Sequence, residues 1–171
     1  MTHNLQEDFN KAKSLATSAQ VFATIALIIL ALSILAKAGL PIARIALTSE
    51  LSWSQKLSEA GLLAVLILPT ILLSLSIVQL NRALQQYSEG EFFTMHASTC
   101  VAKSGDYAVE AMVAAMLIVP NLRLWISHEG GFDIRIETEF IGMLAFAIFI
   151  AAVGRILAAA TSLKQENESF I

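Results

Sequence analysis

The stretch SLATSAQVFATIALIILALSILA, residues 14–36, contains no charged residue, and residues 60–81 form a second uncharged run. Each run is long enough to cross hydrocarbon as an α-helix, because about 20 residues span the apolar layer. Neither run alternates apolar and polar residues as a barrel strand does, and both are rich in Leu, Ile and Ala. The two runs therefore predict transmembrane helices, whose backbone groups pair internally.

Two further stretches, residues 107–126 and 140–163, have spanning length but contain charged residues. Glu110 and Arg123 lie in the first and Arg155 in the second. The composition, 56% hydrophobic and 15% charged with a mean hydropathy of +0.68, exceeds what a soluble core needs. We predict a single all-α domain in the lipid bilayer, a four-helix transmembrane bundle with spans at about 18–37, 60–81, 107–126 and 140–163.

The first span is not predicted to be a cleaved signal peptide. Residues 36–38, AKA, resemble a cleavage pattern, but the preceding segment carries Glu7 and Asp8 beside its lysines, unlike a positive leader. Four spans place both termini and the segment between spans two and three on one side of the membrane. That side holds six Lys and Arg residues and the other side five, a slight preference for cytoplasmic termini.

The loops on the opposite side carry weaker signals. Residues 37–59 mix apolar and charged residues, which predicts a short helix or turn along the membrane surface. Residues 132–140, FDIRIETEF, alternate apolar and polar residues after Gly130 and Gly131, which is a weak strand signal.

The segment YSEGEFFTMH, residues 87–96, lies between the second and third apolar stretches. Helix-forming residues continue past the second span as far as Gly90, which is expected to end the helix. Thr94 is placed to cap a new helix, with Phe92 and Phe93 packing at the turn. We predict a cytoplasmic helix-turn-helix hinge between helices 2 and 3.

The residues LNRALQQYSEGEFFT, followed by Ser104 and Gly105, resemble the central signature of a bacterial membrane family catalogued as domain of unknown function 2975. The C-terminal RILAAATSLKQENESFI is similar to the ending of that family, so the resemblance covers nearly the whole chain. The matching positions are Tyr87, Gly90, Glu91, Phe93, Thr94 and Gly105, then Arg155, Leu163, Glu166, Asn167 and Ile171.

The chain departs from the family pattern just after the threonine, where relatives have a proline and an acidic residue. Met95, His96 and Ala97 stand there instead, so the helix start is less strongly encoded. The resemblance implies a bacterial cytoplasmic-membrane protein with both termini inside. It implies no particular activity.

Catalytic and metal sites find no support in the sequence. His3, His96 and His128 are too far apart to share one helix, and Cys100 is a single thiol. Ser74 and Ser76 have no base at helical spacing, so we expect them to bond to backbone carbonyls or another helix. We predict no enzyme activity, no cofactor, no metal and, without a basic patch, no nucleic-acid partner.

Two features of the spans are structural predictions. Pro69 and Pro120 should kink or locally open their helices, a feature that transporters also use to build binding sites. A stripe of small residues in the last span should let a second helix approach closely, either within the bundle or from a second copy: Ala147, Ala151, Gly154 and Ala158.

The leading functional hypothesis is a non-enzymatic membrane protein, a regulatory, accessory or immunity-type factor that binds another protein. The alternative is a small oligomeric transporter or channel subunit. The first two spans contain no carboxyl group and Glu110 lies near one end of the third, and this lack of an interior carboxylate counts against coupled transport but leaves an oligomeric pore open. We also predict an intramembrane pair of Glu110 with Arg155. The candidate partner-binding hinge consists of Tyr87, Gly90, Glu91, Phe92, Phe93 and Thr94.

Overall fold

The computed structural model describes residues 2–47, 52–128 and 130–169, and within these ranges the regular secondary structure is entirely helical. Two π-helical turns, Leu35–Gly39 and Ala114–Ile118, join neighbouring helices without a break. The helices are α1 Thr2–Ile34, α2 Leu40–Leu47, α3 Trp53–Glu89, α4 Met95–Val113, α5 Val119–Ile126 and α6 Thr138–Ser169.

Four of these helical stretches have the length and apolar composition needed to cross a membrane: Gln6–Ile45, Trp53–Glu89, Met95–Ile126 and Thr138–Asn167. The prediction of an all-α chain with four apolar helices is confirmed. Each helix extends beyond its predicted span, because charged residues at the ends of an apolar run do not stop a helix. The first helix therefore continues through α2 to Leu47, whereas the sequence predicts a separate short element over 37–59.

Both π-helical turns end two residues before a proline, Pro41 in the first helix and Pro120 in the third. Proline lacks an N–H group and its ring crowds the carbonyl four residues earlier, so a locally widened turn accommodates it. The predicted local opening at Pro120 is confirmed. Pro69, in contrast, lies inside α3, which is α-helical throughout.

The helices pack in the order α1, α3, α4, α6, and each contacts its neighbour in that order. The inner helices α3 and α4 each pack on two long helices, whereas α1 packs mainly on α3 and α6 mainly on α4. Among the described residues no extensive contact joins α1 to α6. The predicted bundle is thus open along one side.

Small residues bring α4 and α6 into close contact. A Cβ atom added to Gly105 would overlap the backbone of Ala151, and one added to Gly154 would overlap the backbone of Ala102. Ala147 and Ala151 are buried in this contact and Ala158 is half-buried, so the predicted stripe of small residues packs within the chain. The contact also fixes the register between the two helices, with Gly105 level with Ala151.

Buried hydroxyl groups join the same helices. The Ser76 hydroxyl of α3 donates to the carbonyl of Ser104 on α4 over 2.8 Å, and Ser98 and Thr161 link α4 to α6 at 3.4 Å. Ser74 bonds only to the Thr70 carbonyl of its own helix. These bonds confirm the prediction that Ser74 and Ser76 bond to backbone carbonyls or to another helix. Such bonds hold helices together where water is absent.

The predicted strand over residues 132–140 is wrong, because this segment is irregular up to Glu137 and then enters α6. Its backbone instead pairs with Asn121 of α5 and with Met116 of the π-helical turn before it. The Asn121 side chain donates to the Asp133 carbonyl (2.7 Å) and accepts from the Asp133 N–H (3.1 Å). The Arg135 N–H donates to the Met116 carbonyl at 3.1 Å. In a regular α-helix the residue four positions later would donate to this carbonyl, but that residue is Pro120, which has no N–H.

Candidate functional site

The hinge is an ordered turn centred on Gly90. Its φ of +95° and ψ of 8° are left-handed, a conformation that glycine adopts without the steric cost of a side chain. The Gly90 N–H donates to the Tyr87 carbonyl (3.1 Å) and the Glu91 N–H to the Gln86 carbonyl (2.9 Å). This pair of bonds is the Schellman motif, which satisfies the last carbonyls of α3.

Thr94 begins the next helix as the sequence predicts. Its side-chain oxygen accepts the Ala97 N–H at 3.1 Å, and its hydroxyl donates to the Gln86 side-chain carbonyl at 2.6 Å. One side chain therefore caps the start of α4 and ties it to the end of α3. The cap forms with Met95, His96 and Ala97 after the threonine, without a proline or an acidic residue there.

The N-terminal helix packs onto the hinge, a contact that sequence reasoning missed. The Phe92 ring stacks on Tyr87 at 5.7 Å and meets the edge of Phe9 at 5.3 Å between ring centroids. The Lys13 ammonium donates to the Glu89 carbonyl over 3.3 Å. No local pattern could have signalled the contacts of Phe9 and Lys13, because these two residues lie far from the hinge in the sequence. Phe92 and Tyr87 are thus half-buried in the fold.

Phe93 is the aromatic residue of the hinge whose side chain is exposed. Its side chain is 64% exposed, and the Lys164 ammonium of α6 lies 5.7 Å from the ring centroid. Glu91 beside it is exposed as well. Residues from near both ends of the chain, Lys13 and Lys164, therefore lie at the hinge end of the molecule.

Arg155 forms an ion pair with Asp106, whereas the sequence predicts Glu110 as its partner. The Arg155 Nη2 atom lies 2.8 Å from the Asp106 Oδ1 atom, with side chains 68% and 43% exposed. The pair lies on the outer surface of α4 and α6, and Glu110 is also exposed rather than turned into the bundle.

The register between α4 and α6 explains why Arg155 pairs with Asp106 and not with Glu110. It places Arg155 level with Val101, so Asp106 lies about 7.5 Å further along α4 and Glu110 about 13.5 Å further, at 1.5 Å per residue. The Cα–Cβ bonds of α6 tilt toward its N-terminus, which directs Arg155 to the level of Asp106. The sequence prediction aligns Asp106 with Lys164, which in the structure lies near Phe93.

The same register moves Glu110 from the end of its span to the apolar middle of the molecule. It is level with Phe146 on α6 and, judged from the Ser76–Ser104 contact, with Thr70 on α3. Both positions lie inside uncharged runs, residues 140–154 and 60–81. Exposed apolar side chains such as Ile71 surround this level. Glu110 is thus an exposed carboxyl group within an apolar belt.

No three His, Cys, Asp or Glu side chains cluster among the described residues. The buried Cys100 thiol lies 3.6 Å from the His96 ring nitrogen Nε2, one helical turn away. Among the described side chains no third group hydrogen-bonds to this histidine to orient it, as a nucleophile and its base require.

Four helices that are long and apolar enough to cross a membrane indicate a helical membrane protein. The chain belongs to the family described as "Protein of unknown function (DUF2975)", which it matches over residues 12–171. The family resemblance of the hinge and the C-terminal segment is thereby confirmed. Comparison with curated proteins and with solved structures finds no match.

Proposed function

We propose that this protein is a non-enzymatic membrane protein that binds another protein through its hinge, as a regulatory, accessory or immunity-type factor. The observation that carries the proposal is the exposed Phe93 ring on a turn that is otherwise fixed. A rigid turn loses little conformational entropy on binding, and an exposed aromatic ring is a frequent anchor of protein interfaces.

The surroundings of Phe93 favour a protein partner over simple burial in lipid. Glu91 and Lys164 flank the ring with opposite charges. Charged groups around an aromatic centre are the usual arrangement of a protein interface, in which a polar rim surrounds the anchor.

The test is affinity purification of the tagged full-length protein in mild detergent, in wild-type form and with two single substitutions. Phe93→Ser removes the anchor. Phe132→Ser is the matched control, because Phe132 is 75% exposed in the loop at the opposite end. We expect a stoichiometric partner with the wild type and the control, and its loss with Phe93→Ser. A partner retained by Phe93→Ser, or no partner at all, contradicts the proposal.

For localisation we propose the bacterial cytoplasmic membrane with the hinge and both termini on the cytoplasmic side. The family resemblance and the small excess of Lys and Arg at the hinge end support this orientation. Alkaline phosphatase and fluorescent-protein fusions after Ile171 test it. We expect fluorescence and no phosphatase activity, and strong phosphatase activity would reverse the proposed topology.

A second candidate function, a small oligomeric transporter or channel subunit, is favoured by one observation. Glu110 lies in the apolar belt, and ionisable residues within the membrane commonly mark ion or proton pathways. Purified protein in liposomes tests it by proton or cation flux. Flux that Glu110→Gln abolishes and Glu139→Gln leaves intact supports this function, whereas equal flux in empty and protein-containing liposomes rejects it.

A further inference from the structure

A stripe of polar side chains runs along the outer face of α4, and we call its residues the α4 stripe. Their spacings of three and four residues place them on one face of the helix. His96, Lys103 and Glu110 are exposed, and the other two members are half-buried. The α4 stripe consists of His96, Thr99, Lys103, Asp106 and Glu110.

The stripe is separate from the surfaces that hold α4 in the fold. Ser104 faces α3 and Gly105 faces α6, and neither belongs to the stripe. The two neighbouring helices therefore leave the stripe uncovered. On a soluble protein a polar outer face would be solvated, but here the uncharged runs of α3 and α6 place it partly within the apolar belt.

Members of the stripe differ in how they can escape the apolar layer. Lys103 has a long arm, and the Cα–Cβ bonds of α4 tilt toward the hinge end, so its ammonium can reach that end. Asp106 is neutralised by Arg155. Glu110 has a short arm and lies about 22 Å along the helix from Met95, at 1.5 Å per residue.

The Glu110 carboxyl group has no bonding partner among the described residues. It makes no hydrogen bond or ion pair there; the neighbouring titratable groups are Tyr107 on its own helix and the Asp106–Arg155 pair one turn away. The adjacent parts of α3 and α6, residues 60–81 and 140–154, contribute no charged group. Lipid tails offer no hydrogen-bond partner, and a lone carboxylate in hydrocarbon is costly.

We propose that the α4 stripe is the interface of a symmetric dimer, in which Glu110 of one copy hydrogen-bonds to Glu110 of a second copy. Two copies inserted in the same direction and related by a twofold axis along the membrane normal present identical residues at equal depth. A carboxyl group that carries a proton both donates and accepts a hydrogen bond, so two such groups are complementary to each other.

The spacing of the stripe fits this partner. Alternating steps of three and four residues are the pattern by which two parallel helices pack side by side, and the pattern continues from Glu110 to Val113, the last residue before the π-helical turn. The contact would thus combine a polar pair with apolar packing further along the helix. A second copy also covers Glu110, the carboxyl group of the described third helix that has no ion-pair partner in the apolar belt.

Association is tested with full-length protein in phosphatidylcholine and phosphatidylglycerol vesicles, by energy transfer between copies that carry donor and acceptor fluorescent proteins after residue 171. Dilution with lipid gives the association constant. We expect Glu110→Ala to lower it at least about threefold, the effect of losing one interhelical hydrogen bond. Glu110→Gln, whose amide also donates and accepts, should retain association close to wild type. Equal association of Glu110→Ala and wild type overturns the proposal.

Disulfide cross-linking locates the interface independently of the carboxyl group. In a Cys100→Ser background, Val113→Cys continues the α4 stripe by one turn. Gly142→Cys is the control at nearly the same depth, since it is exposed on α6 with nothing within 4 Å of an added Cβ. We expect rapid covalent dimer formation only from Val113→Cys. Equal cross-linking of both variants, or faster cross-linking of the control, overturns the symmetric α4 contact. Cross-linking of Val113→Cys to a different protein, instead of to a second copy, also overturns it.

Discussion

Arg155 and Asp106 form an ion pair across the α4–α6 contact, with 2.8 Å between the guanidinium Nη2 and carboxylate Oδ1 atoms. The two residues are brought together by Gly105 and Gly154, which allow the helix backbones to touch. The ion pair is therefore a consequence of helix register, and both parts of this relationship can be tested.

A double-mutant cycle with Asp106→Asn and Arg155→Gln should give a coupling energy of about 0.5–1 kcal/mol, because the pair is partly exposed and charge-assisted. Thermal unfolding in detergent provides the free energies. The same cycle with Glu110→Gln and Arg155→Gln serves as the control and should give coupling near zero. Stronger coupling to Glu110 than to Asp106 would restore the partner that the sequence suggests.

Gly105→Ala should destabilise the protein by about 1–3 kcal/mol, since the added methyl group overlaps the backbone of Ala151 and forces the helices apart. Gly142→Ala is the control within a helix, where an added Cβ meets nothing within 4 Å. That change should be neutral or stabilising by up to about 1 kcal/mol, because alanine is the better helix former. Equal unfolding temperatures for the two variants would show that the α4–α6 contact is looser than described.

Replacing Gly90 with alanine should cost about 1–2 kcal/mol, because its φ of +95° is unfavourable for a residue with a Cβ atom. The added methyl group would also lie only 3.0 Å from the Phe9 ring. Gly61→Ala, in open space on α3, is the control. Gly90→Asn should lose less stability than Gly90→Ala, since asparagine tolerates left-handed backbone. Equal melting temperatures for Gly90→Ala and wild type would contradict a constrained turn.

Asn121→Leu should release the segment that pairs with α5. The substitution removes both side-chain bonds to Asp133, and each bond contributes about 1 kcal/mol. Hydrogen exchange at the Asp133 and Arg135 amides should accelerate at least about fivefold, the factor that corresponds to 1 kcal/mol. Ser127→Ala is the control, because Ser127 bonds only to carbonyls of its own helix. Unchanged exchange in Asn121→Leu would show that the Arg135 bond to Met116 suffices alone.

The helices and the turn between them follow from the amino-acid sequence alone. Uncharged runs of spanning length predict apolar helices, and a glycine followed four residues later by threonine predicts a helix end and a helix start. These features depend on neighbouring residues only, which is why the roles of Gly90 and Thr94 can be assigned from local sequence. The small residues around Gly154 likewise indicate a close helix contact, although the pattern leaves its partner open.

The residues that meet across helices, in contrast, are defined by tertiary packing. An uncharged run does not show which of its residues lies at which depth in the membrane. Helices aligned by the charged residues at the ends of their runs therefore have the wrong register, which pairs Arg155 with Glu110 and puts Glu110 near a span end. Backbone contact at Gly105 and Gly154 shifts that register by about 14 residues, since it puts Lys164 level with Phe92 instead of Asp106. The packing of Phe9 on the hinge and the bond from Arg135 to the Met116 carbonyl are equally non-local. Such contacts follow from the approach of two surfaces in space, which local sequence patterns do not encode.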